Sequence, residues 1–348
     1  MAIDRRSYFP THFHFSPEEI DRFFALVSTD LASLQRQIQT EYTLENIKPY
    51  HVLPFARFPL VTFGDRVYSV SVRLQMEKLV SSLHHLHLDP TKFSWRQRDQ
   101  YLTYMGKVFE DYVERICIRM YPSSSGRYLS LDKFSGLHTG KGKKYCDGLI
   151  LYEDAVILIE AKASLLTLEE RSGFAVTKIK KSLQDIYGHA AEQIQETIVG
   201  IQGGVFASEG ILPQMIRQFY PLVLTLESVP MTPLICAKLQ RELQSKQLLV
   251  GKGVEPLQFM DIGCFEELEA IVANGSTLKQ VLDEKLSSQA ETEDSFANFL
   301  YRRRSRWGSL RNEYLSEQYE AIAKEAREFF INRQVREDRG AKDGEGIG

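Results

Sequence analysis

The sequence predicts an α/β protein in which helices flank a mixed central sheet. Two observations predict this core: short apolar runs rich in Val, Ile and Leu that fit buried strands, and helical patterns with one apolar stripe on either side of them in the chain. A mostly helical N-terminal region and additional C-terminal helices complete the predicted architecture. The strand candidates are 148–152, 155–159, 221–226 and 257–262, and the flanking helical patterns cover 101–120 and 178–200.

The N-terminal region, residues 1–93, is predicted to combine helices with one β-hairpin. Ser16–Glu19 has the sequence of a capping box with proline at the first helical position, and apolar residues follow at helical spacing. These features predict one long amphipathic helix over residues 17–39. Two strand-like runs, Leu60–Phe63 and Arg66–Val70, are separated by a Gly-Asp pair, which is typical of a hairpin turn.

Three further segments are predicted after this region. A core domain spans residues 94–275, and helices cover residues 276–333. Residues 334–348 are charged and glycine-rich with hardly any apolar content. A segment of this composition cannot bury enough apolar surface to fold, so it is predicted to be a disordered tail.

The composition indicates a globular protein without a membrane segment. The chain has 348 residues, of which 43% are hydrophobic. Its apolar runs are far shorter than the ~20 residues that a membrane-spanning helix needs. The N-terminus lacks the apolar stretch of a secretory signal, so a cytoplasmic location is expected. The four cysteines are widely spaced in apolar contexts and are expected to be buried free thiols.

The overall charge offers no general attraction to nucleic acid. The formal net charge is −3, from 43 basic and 46 acidic residues, so any binding of nucleic acid must be local. Three basic clusters could provide it, although a cluster of this kind is more often a solvated surface. They are Lys141, Lys143 and Lys144; Lys178, Lys180 and Lys181; and Arg302, Arg303, Arg304 and Arg306.

The two central strand runs predict an antiparallel hairpin with charged residues at its open end. Only Glu153 and Asp154 separate the runs, and a turn centred on that pair places Asp147 directly opposite Glu160. Opposed residues have Cβ atoms roughly 5 Å apart, and two like charges at that separation destabilise a sheet unless something compensates them. A bound cation would compensate them.

Lys162 extends this group of charges. Period-two alternation puts its amine on the same face as the Glu160 carboxylate. The strand is apolar on both faces, which predicts a central position in the sheet with the charges at an edge or cleft. The alternative is that the strand runs out into solvent, where an isolated Glu-x-Lys is an ordinary pair of surface residues.

Two helices carry polar residues on or beside their apolar faces. Glu110 lies at the edge of the stripe of the first helix and can lean toward the sheet, or it can be an ordinary surface glutamate. Gln193 lies within the apolar face of the second helix, so it is either a structural hydrogen-bonding group or a group that reaches the site. The stripe of the first helix consists of Leu102, Phe109, Val113, Ile116 and Met120.

In their order along the chain, these residues resemble the motif of the PD-(D/E)xK nuclease superfamily, which has the restriction-endonuclease-like fold. A helix glutamate, Glu110, comes first, followed by Asp147 on one core strand and Glu160-Ala161-Lys162 on the next. The glutamine that follows the core strands in several branches of the family is similar to Gln193. Cys146 stands where the proline of the family's name would be.

The resemblance implies metal-dependent hydrolysis of phosphodiester bonds in nucleic acid, with DNA and endonuclease action favoured. Asp147 and Glu160 would bind Mg²⁺, or Mn²⁺, with Glu110 as a further ligand, because hard cations prefer carboxylate oxygens. The metal would lower the pKa of a bound water and neutralise charge on the phosphate. Lys162 would orient that water or stabilise the transition state. The resemblance also places Gln193 among the catalytic residues.

Nucleic acid is the partner that the motif implies. Lys141, Lys143 and Lys144 directly precede the strand of the aspartate and could hold the phosphate backbone beside the site, and Lys178 and Lys181 are further candidates. The sequence has no helicase-like phosphate loop, which indicates a stand-alone nuclease subunit. Such members often serve restriction or anti-phage defence, so a homodimer or partner proteins of a defence system are implied, with the N-terminal region recognising substrate or partner.

Other classes of function are weighed against this one. A catalytically inactive nuclease-fold module that binds nucleic acid or a partner protein is disfavoured because all four motif residues are present. In a structural or interaction protein, Glu160 and Lys162 would simply form an ion pair at the surface, and the helices would contact a partner. A two-carboxylate glycosidase is disfavoured by the adjacent lysine and by the lack of an obvious aromatic platform.

Overall fold

The computed structural model of the protein describes most of the chain as two compact units. The first unit comprises residues 1–98, 168–175 and 314–348, and the second comprises residues 99–167 and 176–313. The described residues are 2–4, 8–9, 15–41, 53–88, 92–122, 127–131, 145–163, 176–229, 231–307 and 311–344.

The first unit contains a small four-stranded sheet in the order β1-β4-β3-β2. The predicted hairpin is confirmed as β3 and β4, which pair antiparallel, and Gly64 in its turn has a φ of 59° that suits glycine. The flanking strands β1 and β2 were not predicted. The elements are β1 (Ala2–Asp4), α1 (Pro17–Val27), β2 (Ser28–Asp30), α2 (Leu31–Glu41), α3 (Leu53–Arg57), β3 (Leu60–Phe63), β4 (Arg66–Ser69), α4 (Val72–His87) and α13 (Glu313–Gly344).

The helix predicted over residues 17–39 is divided in the structure. The capping box on Ser16 is confirmed, but α1 ends at Val27 and Ser28–Asp30 forms β2, parallel to β3. The Asp30 carboxylate then accepts the Ser33 N–H at 2.9 Å and caps the first turn of α2. Ser, Thr and Asp side chains compete with the helix backbone for hydrogen bonds, which explains the break at this point.

The second unit is built on a five-stranded mixed sheet in the order β5-β6-β7-β8-β9. The first three strands pair antiparallel, and β7, β8 and β9 run parallel, so the mixed α/β class is confirmed. The strands are β5 (Arg127–Ser130), β6 (Gly148–Leu151), β7 (Ala155–Lys162), β8 (Gln218–Thr225) and β9 (Gln258–Asp261). The helices are α5 (Trp95–Met120), α6 (Val176–Gln202), α7 (Pro233–Ser245), α8 (Ile262–Ala273), α9 (Leu278–Lys285), α10 (Gln289–Glu293), α11 (Phe296–Arg302) and α12 (Arg304–Trp307), with a 3-10 helix at Ala207–Glu209.

β7 lies at the centre of this sheet and is buried on both faces, as its apolar sequence predicts. Leu158 packs in the apolar cluster that contains Ile194 of α6. Its neighbour Ile157 packs in the cluster that contains Phe109 of α5. Helices α6 and α5 therefore belong to clusters on opposite faces of the sheet. Leu102, which was predicted in the buried stripe of α5, is instead 43% exposed.

The β6–β7 hairpin has the predicted register. Leu149 lies opposite Leu158, as predicted, and Gly148 lies opposite Ile159. Because β6 begins at Gly148, Asp147 directly precedes the paired residues, at the position expected to face the end of β7.

The helices after the sheet belong to the sheet's own unit. Leu278 of α9 and Phe296 of α11 are buried in the same cluster as Phe109 of α5. The boundary predicted after residue 275 therefore falls inside one unit, because these apolar side chains complete its core.

The predicted disordered tail is in part helical. α13 continues to Gly344, so the prediction of disorder is corrected for residues 334–344. Arg, Glu, Ala and Lys, which occur in this stretch of the sequence, are strong helix formers. Residues 345–348 lie outside the described residues.

Two further findings bear on the predictions from composition. None of the helices that the structure describes is long and apolar enough to cross a membrane. All four cysteines are buried and unpaired, which confirms the prediction of free thiols.

Candidate functional site

The carboxyl end of β7 brings the motif residues together. The Glu160 side chain is only 2% exposed and forms an ion pair with the amine of Lys162. The Asp147 carboxylate accepts the Ala161 N–H at 2.7 Å through its Oδ2 atom. Since β6 begins only at Gly148, the Asp147 side chain takes the place of a neighbouring strand as the partner of this N–H group.

Negative charge accumulates at this point. Burial raises the pKa of Asp147 well above its usual range, and the negative charge of Glu160 raises it further. The Glu110 carboxylate acts in the same direction, whereas the Ala161 N–H and the Lys162 charge lower the pKa of Asp147. Three carboxylates and one lysine leave a local excess of negative charge, and a cation placed there would favour the ionised form of Asp147.

Gln193 connects Lys162 with the backbone segment that precedes Asp147. The side chain is 8% exposed and lies in the buried face of α6. Its Oε1 atom accepts a hydrogen bond from Lys162 Nζ at 2.9 Å, and its Nε2 atom donates to the Tyr145 carbonyl at 3.3 Å. One amide therefore links the lysine of β7 to the segment that leads into Asp147.

Thr197 is a site residue that was not predicted from the sequence. Its hydroxyl accepts the Cys146 N–H at 2.9 Å and donates to the Gln193 carbonyl at 2.8 Å. A proline at position 146 has no N–H and could not make the first of these bonds, which any other residue at this position could make. A polar residue one helical turn after Gln193, on the same apolar face, is the signal that could have found it.

The residue after Asp147 must be small. Tyr128 of β5 covers Gly148, and a Cβ atom at this glycine would lie 2.7 Å from the tyrosine ring. Burial raises the pKa of Tyr128, and the charges of Cys117, Glu114 and Asp147 act in the same direction. Gly148 thus allows an aromatic ring to cover the start of β6.

The donor set at the site fits a hard divalent cation that keeps part of its water shell. Asp147 and Glu160 offer carboxylate oxygens, and Mg²⁺ is commonly bound by one or two carboxylates with waters and substrate phosphates. Within the described part of the chain, no group of three or more His, Cys, Asp or Glu side chains could hold a metal by itself. The negative charge of Glu110 raises the pKa of Asp147. The Ala161 carbonyl, water and a phosphate of the substrate would have to supply the metal ligands beyond Asp147 and Glu160.

Among the lysines predicted to bind nucleic acid, only Lys181 has a side chain within the described residues. Lys141, Lys143 and Lys144 lie outside the described residues, as does the side chain of Lys178. Lys181 is exposed on α6. It lies twelve residues before Gln193 on the same helix, which corresponds to about 18 Å along the axis.

Three of the four arginines in the third basic cluster form ion pairs within the second unit. Arg302 contacts Glu291 and Asp294, and the other two arginines of the network contact glutamates of α9 and α10. These pairs are Arg303 with Glu284 and Glu291, and Arg306 with Glu284. The acidic partners offset much of the positive charge that the sequence suggested for this segment.

Comparison with known proteins gives only distant structural likeness, to solved structures. No protein-family model matches the chain, and no curated protein matches its sequence. Among solved structures, the chain is similar to the small subunit (R.BspD6I2) of the heterodimeric restriction endonuclease R.BspD6I, with 16% sequence identity and a TM-score of 0.31. The match covers 62% of this chain and 96% of that chain. At this level of similarity, the function has to be inferred from the residues of the chain itself.

Proposed function

We propose that the protein is a metal-dependent nuclease of the PD-(D/E)xK type, with a restriction-endonuclease-like core, which hydrolyses phosphodiester bonds in DNA. The observation that carries this proposal is the convergence of Asp147, Glu160 and Lys162 at the end of one central strand, with Gln193 bound to the lysine. A role in restriction or anti-phage defence in the cytoplasm, as a dimer or with partner proteins, belongs to the same proposal.

Asp147 and Glu160 are the residues that would hold Mg²⁺ or Mn²⁺. Bound there, the ion would activate a water molecule and neutralise charge on the phosphate. The water would lose one proton to solvent as its oxygen attacks phosphorus, the bond from phosphorus to the leaving oxygen would break, and that oxygen would take up one proton from solvent.

Lys162 and Gln193 have distinct tasks in this scheme. The Lys162 amine carries positive charge beside Glu160, where it can hold the attacking water or stabilise the negative charge that develops on the phosphate. Gln193 fixes the direction of that amine through its 2.9 Å hydrogen bond. Thr197 acts indirectly, because it holds the backbone that precedes Asp147.

The buried ion pair also favours a second candidate, an inactive nuclease-fold module that binds nucleic acid or a partner protein. Glu160 is engaged with Lys162, and a carboxylate held in this way is less available to a metal ion. The two candidates differ in one measurable property, since only the enzyme needs a metal ion at Asp147 and Glu160.

Cleavage assays with labelled single- and double-stranded DNA and RNA test the proposal. Each substrate is incubated with Mg²⁺, Mn²⁺ or EDTA, with native protein and with Asp147→Ala and Lys162→Ala. Matched controls are Asp185→Asn and Lys238→Ala, because both residues are exposed on helices of the same unit. We expect metal-dependent cutting that both site variants lose by at least about a hundredfold and both controls retain.

Two results would count against the enzyme. Cutting that persists in EDTA or in both site variants would show that the activity resides elsewhere. Absence of cutting together with absence of Mn²⁺ binding by calorimetry would favour the inactive module.

A further inference from the structure

A cavity lies at the same edge of the sheet as the candidate site. Its volume is ≈ 280 Å³, and it opens at the carboxyl ends of β8 and β9, where Thr225 and Asp261 line it. In open α/β sheets, ligands bind preferentially in crevices outside the carboxyl ends of parallel strands. The cavity therefore occupies a position at which such folds bind ligands.

The register of the parallel strands fixes the separation between the cavity and the catalytic lysine. Lys162 of β7 pairs with Thr225 of β8, which pairs in turn with Asp261 of β9. Neighbouring strands lie about 4.8 Å apart, so the backbones of Lys162 and Asp261 are roughly 10 Å apart. A group in the cavity can therefore belong to the same strand of substrate as a phosphate at Lys162.

The lining of the cavity suits a flat, neutral ring that carries a hydrogen-bond donor. Tyr187 and Phe259 form an edge-to-face pair with ring centres 4.5 Å apart, and Phe296 and Met260 add further apolar surface. Bases out of the helical stack are held in other proteins by aromatic and apolar side chains of this kind.

The charge of the lining excludes a phosphate and favours an amino group. Lys and Arg do not occur among the described residues that line the cavity, and Asp261 is the one carboxylate among them. Asp261 Oδ1 accepts the Cys264 N–H at 2.9 Å as the cap of α8, so the carboxylate is held in place by the backbone. An exocyclic amino group, such as that of cytosine, is a suitable donor to a carboxylate.

We propose that this cavity receives an unpaired base of the nucleic-acid substrate, with Asp261 accepting a hydrogen bond from the amino group of the base. The inference rests on the proposed nuclease function and makes it more specific: the substrate has a single-stranded or unstacked nucleotide beside the cleaved bond. It also gives the protein a preference for cytosine over thymine, two bases of similar size that differ in the amino group.

Binding without cleavage tests the cavity directly. Fluorescence anisotropy is measured in EDTA with 5′-labelled single-stranded 12-mers of oligo(dC) and oligo(dT), with the intact chain throughout. Ala297→Trp places a large side chain in the lining of the cavity, and Leu234→Trp is its matched control, since Leu234 is 79% exposed on α7 and does not line the cavity. Asp261→Asn removes the charge and keeps a good helix cap.

Native protein is expected to bind oligo(dC) at least about fivefold more tightly than oligo(dT), and Asp261→Asn is expected to remove that preference. Ala297→Trp should weaken the binding of both oligonucleotides about tenfold or more, whereas Leu234→Trp should not. Equal affinity of the native protein for the two oligonucleotides, or full affinity in Ala297→Trp, would overturn the proposal.

The test separates the cavity from the catalytic site. If native protein cuts in the presence of metal and Ala297→Trp binds both oligonucleotides normally, the nuclease proposal stands and the proposal of a base-binding cavity is wrong. If the protein prefers oligo(dC) in a manner that depends on Asp261 but never cuts nucleic acid, the cavity binds a base and the nuclease proposal is wrong.

Discussion

Asp147 is expected to lower the stability of the protein when no metal ion is bound. Asp147→Asn keeps an oxygen that can accept the Ala161 N–H and removes the charge that Glu160 and Glu110 disfavour. Opposed residues in neighbouring strands lie about 5 Å apart. Two like unit charges at that separation repel each other by about 3 kcal/mol at an effective dielectric constant of about 20.

The net gain should be smaller than this repulsion. The positive charge of Lys162 and the partial exposure of the site offset part of it, so Asp147→Asn should raise the free energy of unfolding by about 1–2 kcal/mol. For a domain of this size, that gain corresponds to a rise in Tm of about 2–8 °C. Thermal melts in EDTA at pH 7.5 measure it, with Asp185→Asn as the control that should not change Tm.

The pH dependence of this effect has a definite sign. A carboxyl group whose folded pKa is raised contributes stability below its unfolded pKa, which is about 3.9 for Asp. That contribution is lost as the pH rises through the folded pKa. Because burial and Glu160 raise the pKa of Asp147, the advantage of the asparagine variant should be small near pH 4 and should grow toward neutral pH.

A bound metal ion should reverse the order of stability. At a free Mn²⁺ concentration of about a hundred times its Kd, the native protein gains about 2.7 kcal/mol, which exceeds the advantage of the variant, while a variant that does not bind the ion gains nothing. The reasoning is refuted if Asp147→Asn is no more stable than native protein in EDTA, or if Mn²⁺ stabilises both equally.

The remaining predictions concern the supports of the site and one buried lysine. Thr197→Val leaves the Cys146 N–H without its partner, so it should cost about 1–3 kcal/mol in denaturant unfolding and should weaken Mn²⁺ binding about tenfold or more. Gly148→Ala places a Cβ atom 2.7 Å from the Tyr128 ring, so it should cost about 1–3 kcal/mol and reduce cleavage. Lys285 is fully buried, and burial lowers its pKa to about 8, so raising the pH from 7 to 10.5 should stabilise native protein relative to Lys285→Met by about 3 kcal/mol.

Each of these predictions has a matched control. Thr197→Ser keeps the hydroxyl and should retain metal affinity. Gly106→Ala on α5 meets no atom within 4 Å and should be neutral or stabilising by up to about 1 kcal/mol. Equal loss of metal affinity in the valine and serine variants, or equal unfolding free energies for both alanine variants, would contradict the assigned contacts. A constant difference between native protein and Lys285→Met across that pH range would contradict the lowered pKa of the lysine.

The part of the site that follows from local sequence could be predicted, and the part that depends on distant segments could not. The two-residue turn fixes the β6–β7 register, and the register brings Asp147 to the end of β7. The helical period alone puts Gln193 on the buried face of α6. Ser28–Asp30 weakens the first helix locally, but its formation of a strand depends on pairing with β3, more than thirty residues away, which the local pattern does not reveal.

Packing between distant elements also explains the misplaced domain boundary. Residues 276–313 show helical periodicity without revealing which apolar surface they cover. In the structure, Leu278 and Phe296 complete the core under β7, so the helices belong with the sheet.

Helix α6 holds both polar groups of one peptide unit, the one that joins Tyr145 to Cys146 just before Asp147. Gln193 binds the Tyr145 carbonyl and Thr197 binds the Cys146 N–H, and the two side chains stand one helical turn apart. The Cys146 amide is thus shielded from water by a fully buried hydroxyl, and its hydrogen should exchange with solvent only when α6 separates from the sheet. The exchange rate of the Cys146 amide would therefore report how often the backbone before Asp147 separates from α6.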